Sequence, residues 1–175
     1  MTKIYNQTFK ELLKEYRLPE SLLFSIEIPE EVQEILDDKI IESEFGIALE
    51  SNNELYKATE NWDNQSLVED RENHFHVDWY IEPIENKKAF MLGVKTILLL
   101  ATKFKHSNIK DIRFVFSYQT PEMGKEFSKG MNHHQEGDKY YVSDRLSFHK
   151  RRDGEEVISI DEKDDSHWAI LVIDI

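Results

Sequence analysis

The chain has 175 residues, with 22 basic and 35 acidic side chains, a formal net charge of −13 and no cysteine. This length suits one ordinary domain, so we expect residues 1–175 to form a single domain. The lack of cysteine excludes disulfides, thiolate zinc sites, iron–sulfur clusters and cysteine nucleophiles. The negative charge disfavours non-specific binding to nucleic acids, because that affinity comes mainly from Lys and Arg side chains that replace counterions around phosphates.

The N-terminal part predicts two short amphipathic helices. The first carries one apolar face with helical spacing, formed by Phe9, Leu12, Leu13 and Tyr16. Alternation from Leu22 to Ile28 then predicts a strand. A second helix should begin at Pro29, because proline and acidic residues suit a first helical turn, and its apolar face comprises Val32, Ile35, Leu36 and Ile40.

The middle of the chain predicts two strands around a long helix. Strict alternation from His74 to Glu82 indicates a half-buried strand with Phe75, Val77, Trp79 and Ile81 on its core face. A largely apolar helix is expected over about residues 86–105, followed by a strand over Ile112–Tyr118. Signals are weaker over residues 42–73, where residues 45–49 could form a strand, 53–62 a helix or a loop, and 61–73 are polar. Residues 121–138 are also rich in polar side chains.

The C-terminal third predicts strands at about 140–151, 156–161 and 168–173. A three-residue loop at 152–154 would pair Phe148 with Ile158. The last strand is apolar on both faces, which is typical of an interior strand. The whole pattern predicts an α+β fold, in which a mostly antiparallel sheet, as one sheet or two, packs against the long helix.

The most specific chemical motif is His74-Phe-His76-Val-Asp78. Two imidazoles and a carboxylate at a spacing of two residues would lie on one side of a strand, where they could begin a divalent metal site. The motif resembles the first five positions of the His-x-His-x-Asp-His motif of metallo-β-lactamase-like hydrolases, but Trp79 stands at the sixth position. The favoured interpretation is that these three residues form the solvent face of the strand. A metal site would need further ligands, for which His133, His134, His149 and His167 are available.

Other catalytic signatures are missing from the sequence. It contains no glycine-rich phosphate loop, no G-x-S-x-G elbow and no H-E-x-x-H helix. The basic run Lys150-Arg151-Arg152 could contact phosphates, but in the expected hairpin Glu155 and Glu156 lie across from it and neutralise it. No cofactor is therefore expected, unless the histidine motif binds a divalent metal.

The acidic charge is concentrated in the first half of the chain. Residues 1–88 contain 21 acids and 9 bases, a net −12, and the rest contains 14 acids and 13 bases, a net −1. Such asymmetry can steer a cationic partner, and Tyr56 and Trp62 lie among acids as candidate contacts.

The sequence therefore favours a non-catalytic, cytoplasmic protein-binding module that engages a basic partner. An immunity or inhibitor-type protein is one concrete version. The alternatives are a metal-dependent hydrolase built around His74, His76 and Asp78, and a subunit of a homo-oligomer. No membrane segment is expected, because the most apolar stretch, 89–104, is shorter than a bilayer span and contains two lysines.

Overall fold

The computed structural model describes residues 1–19, 25–44, 46–52, 64–81, 85–131, 135, 138–160 and 167–175. These ranges contain five α-helices: α1 (Gln7–Glu15), α2 (Glu30–Asp37), α3 (Gln65–Glu72), α4 (Asn86–Lys105) and α5 (Pro121–Gly130). They also contain six β-strands: β1 (Thr2–Tyr5), β2 (Ile40–Ser43), β3 (Gly46–Leu49), β4 (Ile112–Gln119), β5 (Ser143–Lys150) and β6 (Ala169–Asp174). Short 3₁₀ helices lie at Glu50–Asn52 and Asp78–Tyr80. None of the described helices combines the length and the apolar character needed to cross a bilayer.

The described strands form two antiparallel sheets. The larger sheet has the strand order β1-β6-β4-β5, and each neighbouring pair is antiparallel. Strands β2 and β3 pair separately. Strand β6 occupies an interior position, as its apolar sequence predicts. The predicted α+β class is confirmed, because five helices accompany strands whose described pairings are all antiparallel.

Aromatic side chains organise the core around β4. Phe114 lies opposite Phe148 of β5 and Ile173 of β6, so alternate residues of the three strands face the same side. Helix α4 approaches β4 closely at Gly93, where an added Cβ would lie 2.3 Å from a ring carbon of Phe116. A side chain at this position of α4 would therefore separate the helix from the strand.

Asn6 fixes the connection between β1 and α1. Its side-chain oxygen accepts the N–H of Phe9 at 3.0 Å, which caps the helix, and the N–H of Ile170 at 2.9 Å. Its amide nitrogen donates to the carbonyl of Trp168 at 2.7 Å. One buried side chain therefore holds the start of α1 against β6.

The strand predicted over residues 74–82 is wrong in its described part. Only Phe75 makes strand-like contacts, since its N–H and C=O both bond Leu146 at 2.9 Å. The chain then enters the 3₁₀ helix, and Trp79, expected in the core, is 70% exposed. The carboxylate of Asp144 accepts the backbone N–H groups of Val77 and Asp78, so these groups are not offered to a neighbouring strand.

The predicted C-terminal hairpin is also wrong. Arg152 and Glu155 bridge across a two-residue turn, with Gly154 at φ +80°, so the three-residue loop does not form. Residues 156–160 form no strand, and the expected pairing of Phe148 with Ile158 is absent. Strand β5 pairs with β4 instead, which places its phenylalanine against another buried aromatic ring.

Two helices lie in segments that the sequence left as polar. Helix α3 is capped by Asn64, and its buried residues are mostly polar or charged, so apolar periodicity does not mark it. Helix α5 is capped by Thr120, with Pro121 in its first turn. The strand predicted from Leu22 to Ile28 does not form over residues 25–28, and residues 20–24 lie outside the described residues.

Candidate functional site

An acidic groove of about 450 Å³ lies beside α2. Four of the described residues that line it are acids, and the others are apolar, aromatic or hydroxyl-bearing: Glu31, Glu34, Asp37, Asp38, Ile35, Leu49, Tyr80 and Ser51. No described lining residue is basic. The groove therefore combines an anionic rim with an apolar surface.

The sequence of α2 determines which of its side chains reach this groove. Val32 and Leu36 are buried one helical turn apart, which directs Glu31 and Glu34 towards solvent. Neither of these two glutamates has a salt bridge with a described residue. No described base therefore neutralises their negative charge.

The other two acids are held by local hydrogen bonds. Asp37 accepts the side-chain amide of Gln33 at 3.0 Å, and Asp38 accepts the N–H and the hydroxyl of Ser51 at 3.2 and 2.6 Å. Lys103 of α4 donates to two backbone carbonyls at the C-terminal end of α2, which offsets part of the charge there. The groove wall is thus fixed in position while its rim stays anionic.

The predicted histidine motif is only partly brought together. Donor atoms of His76 and Asp78 cluster with Asp144 of β5, and all three lie within 4.8 Å of one another. His74 lies outside this donor set, with its ring centroid 5.6 Å from that of His76, and its Nδ1 contacts the carbonyl of Arg71. The sequence motif and the three-dimensional cluster therefore share two of three residues.

Asp144 anchors the segment that carries the other two donors. Its two carboxylate oxygens accept the N–H groups of Val77 at 2.9 Å and Asp78 at 3.0 Å. The Nδ1 atom of His76 lies 3.8 Å from one of these oxygens, and its ring stacks on Trp79 at 4.6 Å. Backbone and ring contacts thus hold all three side chains around one point.

The cluster is electrostatically unusual because two carboxyls are buried side by side. Burial and the neighbouring Asp78 charge raise the pKa of Asp144 to about 8, although two backbone N–H groups oppose the shift. Burial also raises the pKa of Asp78, and burial lowers the pKa of His76. Among the described residues, Asp78 Oδ1 has no hydrogen-bond partner.

Sequence reasoning missed Asp144, although β5 contains a signal for it. Residues two apart on a strand face the same side, so Asp144 shares its side with Leu146 and Phe148. All three are fully or almost fully buried. A carboxylate on the core face of a strand needs a compensating partner, which marks it as a candidate functional or structural group.

The remaining histidines do not join this cluster in the described part of the chain. His149 is buried with Nδ1 3.6 Å from Asp70 Oδ1, a separation at which the attraction is electrostatic. His167 is exposed and packs edge-on against Phe127 at 5.8 Å. Four predicted candidates lie outside the described residues: His133, His134, Tyr56 and Trp62.

The basic run is neutralised mainly by acids other than the predicted ones. Its three side chains form salt bridges with residues distant in the sequence: Lys150 with Glu42, Arg151 with Asp174 at 3.4 Å, and Arg152 with the buried Glu69. Arg152 also lies 3.9 Å from Glu155. Because its bases are paired in this way, the run does not present a free phosphate-binding surface.

Comparison with known proteins identifies a family for the chain. Residues 4–175 match the Uncharacterized protein PM0498 family, and the chain therefore belongs to it. No curated protein and no solved structure matches the chain.

Proposed function

We propose that this member of the PM0498 family is a non-catalytic, cytoplasmic protein-binding module that engages a basic partner through the acidic groove beside α2. An immunity or inhibitor-type protein, which masks a basic toxin or nuclease surface, is the concrete version that we favour. The observation that carries this proposal is the groove itself, whose charged described lining residues are all acids.

The groove has the chemistry to accept a Lys or Arg side chain from a partner. The aliphatic stem of such a side chain would lie on Ile35, Leu49 and Tyr80, and its charged head would meet the carboxylates at the rim. An Arg guanidinium would in addition stack on the tyrosine ring. The same charge pattern would steer a cationic protein towards the groove before contact.

Other acids of the first half are less available to a partner. Glu42 pairs with Lys150, Glu69 with Arg152, and Asp70 with Arg145. Our proposal therefore assigns partner recognition to α2 rather than to the acidic half as a whole. Tyr56 and Trp62, which lie among acids in the sequence, stay candidate contacts for the partner.

Helix α4 has a supporting role in this proposal. It would be the main apolar layer on the sheet of a single domain, and its Lys103 would hold α2 at the correct position. The contacts of Lys103 Nζ with the carbonyls of Leu36 and Asp38, each at 2.5 Å, support this role.

The proposal is tested by charge reversal with a matched control. The groove variant is Glu31→Lys/Glu34→Lys, and the control is Glu11→Lys/Glu15→Lys, which makes the same charge change at exposed positions of α1. Each variant and the wild type are used as bait in lysate of the native host at 50 and 300 mM salt. Proteins retained by the wild type are identified, purified and titrated individually.

We expect a basic partner that binds the wild type and the control equally. Its affinity should fall at least roughly tenfold in the groove variant, because like charges placed together at an interface cost several kcal/mol. Binding should also weaken at the higher salt concentration, since surface charge is screened. A partner that loses as much affinity with the control as with the groove variant would contradict the proposal. Light scattering that shows a stable homo-oligomer, disrupted by the groove variant, would instead favour a self-assembly role.

A further inference from the structure

We infer that His76, Asp78 and Asp144 form a binding site for a divalent first-row transition metal. This donor set differs from the sequence motif, because His74 is replaced by an aspartate from β5. The site is separate from the acidic groove and does not depend on the proposed partner.

The distances between the donors are close to those of a metal site. Ligands at about 2.1 Å from a metal lie roughly 3.0–3.5 Å from one another in octahedral or tetrahedral geometry. The His76 Nδ1 to Asp144 Oδ1 distance is 3.8 Å, and the widest separation in the set is 4.8 Å or less. Side-chain movements of about 1 Å would therefore bring all three donors into coordination distance.

The second observation is an unsatisfied oxygen on one of the three donor residues. Asp78 is only 5% exposed, and its Oδ1 has no hydrogen-bond partner among the described residues. Buried polar atoms are almost always paired in folded proteins, so an orphaned carboxylate oxygen indicates a ligand. A cation would also relieve the repulsion between this carboxylate and Asp144.

No base in the described residues already supplies that charge. Arg145 is adjacent in sequence to Asp144, but its guanidinium binds Asp70 and Ser147 instead. Within the described ranges, His76 is the only salt-bridge partner of Asp144, and none is present for Asp78.

The surroundings hold the donors in place before a metal arrives. The backbone N–H groups of Val77 and Asp78 orient the Asp144 carboxylate, and Trp79 stacks on the imidazole of His76. Such supporting contacts orient ligands in known metal sites. Three protein donors leave the remaining coordination positions for water.

The type of donor indicates the class of metal. One imidazole and two carboxylates form a mixed nitrogen and oxygen set without sulfur, which suits Zn²⁺, Mn²⁺ or Fe²⁺ better than Cu⁺. The half-exposed His76 gives an ion access from solvent. We therefore choose Zn²⁺ and Mn²⁺ as probes.

The test is calorimetric titration of chelator-treated, tag-free protein with ZnCl₂ and with MnCl₂. Wild type should bind one ion, and Asp78→Asn and His76→Gln should each weaken binding at least tenfold. The control His74→Gln should bind as the wild type does, because this histidine is outside the donor set. Thermal unfolding should show a rise in Tm with metal for wild type and control only.

A readout on the wild type keeps the test valid if a variant fails to fold. Pulsed electron paramagnetic resonance of the Mn²⁺-loaded protein should detect nitrogen coupling from one histidine imidazole and none from a second histidine. The inference is overturned if neither metal produces heat or a Tm shift, or if bound Mn²⁺ shows no nitrogen coupling. It is equally overturned if His74→Gln abolishes binding while Asp78→Asn retains it.

Discussion

The buried pair between Glu69 and Arg152 allows a quantitative test of the structure. Glu69 is fully buried in α3, and its carboxylate accepts the N–H of Ile47 at 3.0 Å and that of Lys150 at 2.6 Å. The guanidinium of Arg152 donates to both oxygens of the same carboxylate. One side chain thus joins α3 to β3, to the end of β5 and to the turn that follows.

The perturbation is Glu69→Gln, which preserves size but removes the charge and turns one acceptor into a donor. Breaking a buried ion pair by changing one partner costs about 3–5 kcal/mol, because the other charge remains buried. The Arg152 side chain is 22% exposed, so water compensates for part of the loss. We therefore expect the free energy of unfolding to fall by about 2–4 kcal/mol, which is roughly 1 kcal/mol less than for a fully buried pair.

The assay is equilibrium unfolding in urea, with Glu126→Gln as the control. Glu126 forms an exposed pair with Lys129 at 2.7 Å, and exposed pairs contribute about 0–1 kcal/mol. With a slope of about 1–3 kcal/mol per molar urea, Glu69→Gln should lower the midpoint by about 1–2 M and the control by much less. Equal losses in the two variants would refute the reasoning that burial makes this pair structurally decisive.

Three further changes test other parts of the fold. Burial tends to raise the pKa of Asp70, but the hydrogen-bonding and charged neighbours of Asp70, which are His149, Arg145 and Ser147, lower this pKa to about 2. Asp70 therefore contributes about 2 kcal/mol to the free energy of unfolding above pH 3.8, and this contribution is lost as the pH falls through 2. The free energy of unfolding of Asp70→Asn should therefore depend less on pH in this acid range than that of the wild type. Gly93→Ala should lower the free energy of unfolding by about 1–3 kcal/mol despite the better helix propensity of alanine, because its Cβ would clash with the ring of Phe116. Adding Phe116→Leu to the same chain should restore part of the lost stability, as measured by thermal unfolding. Asn6→Ala removes three buried or partly buried hydrogen bonds, one of which caps α1, so urea unfolding should report a loss of about 2–4 kcal/mol. A loss below about 1 kcal/mol would contradict the role assigned to Asn6.

Elements with strong apolar periodicity could be predicted from the sequence. The predicted strand over Ile112–Tyr118 corresponds to β4, and the predicted helix over about 86–105 corresponds to α4. Helix α3 could not be predicted in this way, because it packs through polar side chains such as Glu69 and Asp70. Their partners come from β5 and its turn, which local patterns do not contain.

The alternation from His74 onwards shows where a local pattern misleads. Phe75 pairs with β5 as a strand residue would. The carboxylate of Asp144 then accepts the N–H groups of the two residues that begin at position 77, and the chain continues as a 3₁₀ helix. The motif thus identified two of three clustered donors, and it could not identify Asp144, which lies 66 residues from Asp78. The acidic groove was foreseen only as a charged half of the chain, since its shape depends on how α2 and the 3₁₀ helix at Asp78–Tyr80 meet.

Salt bridges between the two halves of the chain reduce the charge asymmetry that the sequence shows. Three bases of the near-neutral second half neutralise three acids of the first, so the two halves are electrostatically joined: Arg145 with Asp70, Lys150 with Glu42, and Arg152 with Glu69. A largely buried pair such as Arg152 with Glu69 is screened little by salt and contributes little to the external field, whereas the pair of Lys150 with Glu42 is more exposed. The exposed Glu31 and Glu34 have no such described partners, so their field extends into solvent and is sensitive to salt. Under the proposed function, the partner surface would consist of acids without such structural pairs, and Glu31 and Glu34 provide two of them at the groove beside α2.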